Sequence, residues 1–289
     1  MNRKILWCVA IVGAMATVLS GISCGDDDVN PSDGGDVRDE GGGGDVADVV
    51  DEGGGGACPP TAISGGISTM RLRRLNVTLP EAMQGAVIKQ LINGSMDDGS
   101  FIWLLRFEGI GTGEIVLETG SGQATGAADT YSFLPDPFLP DTMTMAEDVL
   151  DFSLTGDPIA ELNVPMWEES TSYPAPPLLT LPLRELQISG TFSDDHLNIG
   201  VYDETAGDWI DGGFLEGKVT TADAQATVID LLGMTLCGLV SGDVGLSGDP
   251  SDDCSEARHP WPQEPDTTVG TDPAYNFTGT IAASPVCIE

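Results

Sequence analysis

Apolar residues in this chain recur mostly at period two, in short runs broken by glycine and proline, and only twice at helical spacing. That pattern excludes a long helical bundle. It also excludes a doubly wound parallel sheet, which needs a helix between successive strands. Leu75, Val77 and Leu79 alternate within residues 70–79 and predict a strand. Pro80 and Glu81 suit a first helical turn, and Met83, Val87, Ile88, Leu91 and Ile92 carry a helix to a stop at Asn93-Gly94. Residues 101–107 and 114–118 read as two more strands. From 124 to 177, frequent prolines and short apolar pieces such as Phe133-Leu134-Pro135 read as loops and edge strands.

Alternation returns at Leu186 and Ile188 and again at Leu197, Ile199 and Val201, around a turn at Ser193-Asp194-Asp195-His196. Residues 214–219 form the next strand. Thr220 and Asp223 then make a capping pair for a second helix containing Val228, Ile229 and Leu232, ended by Gly233. Residues 236–244 and 275–286 complete the strands. The expected fold is mostly β, an antiparallel sandwich or open barrel with two short amphipathic helices on a face or end; α+β is the alternative. Val77-Thr78-x-x-Glu81-Ala82 is echoed by Val219-Thr220-x-x-Asp223-Ala224. Two strand-to-helix exits obeying one capping chemistry account for the echo slightly better than a duplication does.

Only residues 58–289 can supply the core. The preceding stretch carries Asp26-Asp27-Asp28 and two runs of four glycines, with almost no large apolar side chain. Such a stretch cannot bury enough surface to offset its ordering entropy. It reads as an acidic tether over residues 24–57. Its aspartates lack the ligand spacing and turn glycine of an EF-hand loop. The whole chain of 289 residues has a formal net charge of −35. Eleven of the 46 acidic residues and three of the eleven basic ones precede Cys58, leaving 35 against eight in the domain. Phosphate backbones require Lys/Arg neutralisation, so nucleic acid is excluded as a partner.

Ahead of the tether, Arg3 and Lys4 precede an apolar run from Ile5 to Leu19, then Ser20-Gly21-Ile22-Ser23-Cys24. A basic n-region, an apolar h-region and small residues before a cut make a secretory signal over residues 1–23. With a cysteine after the cut, the segment resembles the lipobox of bacterial prolipoproteins. The family pattern prefers Leu at −3, where this chain has Gly21; Ile22 and Ser23 follow. The resemblance covers the first 24 residues and implies cleavage before Cys24 and acylation of its thiol. It implies an exported protein held by lipid on the outer membrane or cell surface. Ordinary signal cleavage at the same bond and an uncut anchor are the alternatives. Cys58, Cys237, Cys254 and Cys287 then remain in an oxidising compartment. Cys237 with Cys254 would close a Gly/Ser/Asp-rich loop, and Cys58 with Cys287 would pin the two ends of the domain.

Few residues advertise chemistry. His196 and His259 are the only histidines, and no HExxH, CxxC, GxSxG or GxxxxGK[ST] pattern occurs. No cofactor or metal is expected. His196 beside two aspartates is half a triad without a serine, and reads as a solvated turn residue. Arg71, Arg73 and Arg74 form a basic cluster expected to pair with the domain's carboxylates. The loop 203–213 surrounds Trp209 with Asp203, Asp208 and Asp211. Carboxylates supply hard oxygen ligands and an indole a stacking face, so this is the candidate cation or sugar loop. The expected function is a lipid-anchored, non-enzymatic binding module, held on the membrane through Cys24, with a protein or glycan partner. Its rivals are a carrier holding an apolar ligand in a barrel, and a hydrolase using paired carboxylates.

Overall fold

The period-two runs become strands of one large sheet, and that sheet closes on itself. The computed structural model describes residues 58–168, 172–229, 233–242 and 263–289. The signal, Cys24, the tether and Cys254 lie outside the described residues. In chain order the first strands are β1 (Ile67–Leu79), β2 (Trp103–Glu108), β3 (Glu114–Ala124), β4 (Thr130–Phe133), β5 (Asp141–Asp148) and β6 (Asp151–Leu154). They are followed by β7 (Ile159–Met166), β8 (Leu179–Thr191), β9 (Val201–Asp203), β10 (Asp208–Ile210) and β11 (Gly213–Thr220). The chain finishes with β12 (Val228–Ile229), β13 (Met234–Thr235), β14 (Thr267–Val269), β15 (Asp272–Pro285) and β16 (Cys287–Ile288). The helices are a 3-10 turn at Glu81–Gln84, α1 (Ala86–Asp98), α2 (Thr221–Ala226) and α3 (Leu236–Ser241).

The protein is mostly β, as its punctuation predicts. Eight strands pair antiparallel in the ring order β1, β2, β3, β5, β6, β8, β11, β15. Pairing of β3 with β5 and of β15 with β1 leaves the ring without a free end. Each barrel strand pairs with the next barrel strand in sequence, which defines an up-and-down barrel. The expected sandwich or open barrel is therefore a closed one, and closure removes the edges that would otherwise template further pairing.

Met70, Leu72, Trp103, Leu105, Phe107, Ile115, Leu117, Leu215, Phe277 and Ile281 are fully buried in one apolar cluster. Eight strands make an interior just wide enough for such side chains to fill. The one awkward group, the indole N–H of buried Trp103, donates to Thr119 Oγ1 at 2.8 Å. Phe107, Phe152 and Phe192 pack edge-to-face or tilted at 4.5–5.2 Å. The Cys58–Cys287 disulfide joins the two ends of the domain, with Cα atoms 5.8 Å apart.

Several local expectations are overturned by tertiary partners. Asn93-Gly94 does not stop α1, which runs on to Gly99 at φ 82°. The Asn93 side chain instead accepts the backbone N–H of Leu75, so the helix continues against β1. Residues 124–177 hold four strands; their prolines fall largely in the connections, and β7 pairs with β8 from Ile159↔Leu186 to Met166↔Leu179. The second helix is only α2: Thr220 Oγ1 caps it by accepting from Asp223 N, but Thr227 leaves helical space and Val228–Ile229 pair with Met234–Thr235. Residues 236–241 are a helix rather than a strand. All six are buried, and an apolar run shut in on every side carries no period to read. Leu197–Val201 is not one strand either, because Ile199 bridges to Phe192 and Ala283 before β9 begins. The echoed segments exit the two strands that flank β15 and then diverge: Thr220 caps α2, whereas Thr78 bonds Thr278 and no side chain caps the 3-10 turn, so capping chemistry is not what the two share.

Candidate functional site

The barrel's interior was the first place to look for a ligand. An apolar cavity lies where the 3-10 turn, α1 and α3 cover Leu75, Val164, Met166, Leu179 and Leu181. Its volume is about 30 Å³, room for roughly one water, against the ~300–1,000 Å³ of a small-molecule pocket. The interior is occupied by the protein's own side chains.

On the outer surface, the loop singled out by its acids is a two-stranded hairpin, β9 with β10. Asp203 holds its turn: one carboxylate oxygen accepts from Thr205 N and Ala206 N, and its carbonyl accepts from Gly207 N. Gly207 sits at φ 65°, the left-handed region that glycine enters freely. The base is just as constrained. At Gly200, φ is 80° and an added Cβ would stand 2.2 Å from the Ile210 carbonyl, so only glycine allows the chain to turn back there.

The four predicted ligands do not converge. Asp208 Oδ1 pairs with Arg74, which also holds Asp97. The Arg74 bond, with help from the Trp209 N–H, keeps the Asp208 carboxyl below its usual range. Asp211 Oδ2 accepts from Asn76 Nδ2 at 2.7 Å and Thr280 Oγ1 at 2.5 Å, tying the hairpin base to β1 and β15. Trp209 is half-buried, edge-on to Tyr202 with ring centroids 5.4 Å apart. Each acid holds the hairpin in place, so the set is a scaffold rather than a cation cage. Among the described residues, no group of three or more His, Cys, Asp and Glu side chains is placed to hold a metal.

What the residue pattern missed is the apolar surface this scaffold presents. Val201, Tyr202 and Ile210 are 62%, 48% and 57% exposed. Val201 stands opposite Ile210, and Tyr202 opposite Trp209. Phe214, paired with Thr280 on the adjoining barrel wall, is also exposed. Consecutive apolar residues in a two-stranded ribbon point to both faces, and at most one face can be buried; that signal was legible.

The arginine cluster divides. Arg73 and Arg74 meet carboxylates, Arg73 reaching Asp129 at 3.8 Å. Arg71 does not: it is buried, its Nη1 donating to Tyr131 Oη at 2.9 Å and its Nη2 to the Met96 carbonyl. Burial, and then the neighbouring Arg71 charge, lower the Arg73 pKa. His196 is not a solvated turn residue. It packs on Phe192 with Nε2 3.4 Å from Glu147 Oε1, and the Glu147 side chain is 4% exposed. Ser68 Oγ donates to the His196 carbonyl rather than to the ring, so no nucleophile–base pair forms there. Cys237 is disulfide-bonded and buried; its expected partner Cys254 lies outside the described residues.

No family model, curated protein or solved structure matches the chain.

Proposed function

We propose that this is an exported protein, lipid-anchored through Cys24, that holds a sealed barrel away from the envelope on an acidic tether and acts by binding at its outer surface, without enzymatic chemistry. The observation that carries this reading is the packed interior: Met70, Trp103, Phe107, Leu215 and Phe277 are fully buried in one cluster, and the apolar cavity described beside them, about 30 Å³, has no room for a cargo. That argues against the carrier, the reading an eight-stranded barrel otherwise invites. The surface is rigid and acidic, and the carboxylates nearest its apolar element are engaged in structural bonds.

Two measurements test the proposal. Mass spectrometry of the mature N-terminus should find an acylated Cys24, and Cys24→Ala should release the protein or leave it unprocessed. A bare cysteine would sink the anchor. Titration with a fluorescent fatty-acid analogue should show no saturable uptake by the folded barrel; stoichiometric uptake would restore the carrier.

A further inference from the structure

We propose that the β9–β10 hairpin is a docking element for a protein partner whose surface presents lysine and arginine around an apolar patch. This rests on the reading that the barrel acts through its outer surface.

Three independent features support it. The first is exposure without structural need. Val201, Tyr202 and Ile210 stand in solvent while the barrel core is complete without them. Val201 and Ile210 share one face of the ribbon and Tyr202 lies on the other with Trp209, so a partner meets apolar side chains on both sides of the hairpin. Such exposure marks interaction sites, and Tyr and Trp are enriched where binding energy concentrates.

The second is preorganisation. The turn is closed by Asp203, the base by Gly200 and by the bonds from Asp211 to Asn76 and Thr280, and the flank by Asp208 with Arg74. An element held this firmly loses little entropy when a partner covers it. β9 and β10 also pair only with each other.

The third is charge, which selects the partner. The domain has eight basic residues against 35 acidic ones. Among the described residues, Arg74 pairs with Asp97 and Asp208, Arg106 with Glu108 and Glu118, Arg184 with Glu161 and Asp223, and Lys218 with Glu185, while Lys89 on α1 adds its charge near Asp208. Glu204 at the hairpin turn is exposed, and among the described residues no cation pairs with it. A second copy of this chain or an anionic membrane would meet like charge, whereas a basic rim would meet its complement.

The probe is a labelled amphipathic leucine/lysine helical peptide, titrated by anisotropy at low and moderate salt. The hairpin variant, Val201→Ser with Tyr202→Ser and Ile210→Ser, keeps every charge. The control, Leu139→Ser with Val149→Ser, removes exposed apolar side chains elsewhere. The hairpin variant should bind at least tenfold more weakly than the parent, and the control should match the parent. Glu204→Gln should weaken binding a few-fold and flatten its salt dependence. Circular dichroism melts establish that each variant is folded. Equal binding by the hairpin variant and the parent overturns the proposal, because capture would then be by bulk charge. Failure of the parent to bind overturns it too, as do a parent dimer that the variant abolishes and hairpin-dependent binding to phosphatidylcholine vesicles. None of these results bears on uptake into the barrel, so the outer-surface reading fails or stands separately.

Discussion

Inside the barrel, Trp103, Phe107 and Tyr275 are shut away from solvent, and each is fixed by packing from several strands at once. On the β9–β10 hairpin, Val201, Tyr202 and Ile210 are as apolar, yet polar bonds at the turn, the base and the flank hold them in water. Similar residue types thus serve as the source of stability in one region and as its passenger in the other. In the barrel, position follows from burial. On the hairpin, position follows from hydrogen bonds and an ion pair at the turn, the base and the flank.

The comparison is most easily broken in the core. Trp103→Ala should cost about 3–5 kcal/mol through a cavity and the lost indole bond to Thr119, whose hydroxyl still donates to the Leu104 carbonyl, read by urea unfolding. A cost below 1 kcal/mol would mean the interior is looser than described. Replacing Cys58 and Cys287 together by Ser should cost about 2–5 kcal/mol, since the bond closes a 229-residue separation. No change under reducing conditions would show that the ends are held by strand pairing alone.

The Glu147–His196 contact comes next. His196→Ala leaves the buried Glu147 Oε1 without the imidazole that stands 3.4 Å away and should cost about 1–3 kcal/mol; Glu147→Leu with His196→Leu should recover part of that. A smaller effect is set by pH. Burial by itself would raise the Asp223 carboxyl, but bonds from Arg184 and Thr220 outweigh it and hold the group below 3.8. A depressed folded value binds fewer protons than the unfolded chain does. Its stabilisation is therefore present above pH 3.8 and is lost as the pH falls through the folded value. Arg184→Ala should flatten this part of the acid-unfolding curve, and an unchanged curve would remove Asp223 from the account. Least of all, Tyr202→Ser or Ile210→Ser should move stability by no more than about 0.5 kcal/mol. A large loss from either would make the hairpin part of the core.

Legibility followed range of interaction. β1, β11 and β15 were readable because alternation is imposed on each strand by its two faces, whatever its neighbour. The disulfide of Cys58 with Cys287 was readable because the ends of a domain fray unless tied. Asn93-Gly94 misled because the partner that absorbs the Asn93 amide, the Leu75 N–H, lies 18 residues away. The loop around Trp209 was found by its composition, but Asp208 and Asp211 were read as ligands. The groups that claim them, Arg74, Asn76 and Thr280, sit 69 to 135 residues away.

By itself, the order of residues determined where a core can form, that strands would build it, that the charge is overwhelmingly negative and that an acidic, glycine-rich stretch precedes it; these follow from local composition and from a two-residue period. Only the tertiary structure decided that the sheet closes, because the pairing of β3 with β5 and of β15 with β1 is a matter of register between distant strands. Closure in turn filled the interior and left the hairpin outside. A side chain's role here depends on which strand ends up beside it, and no local period carries that information.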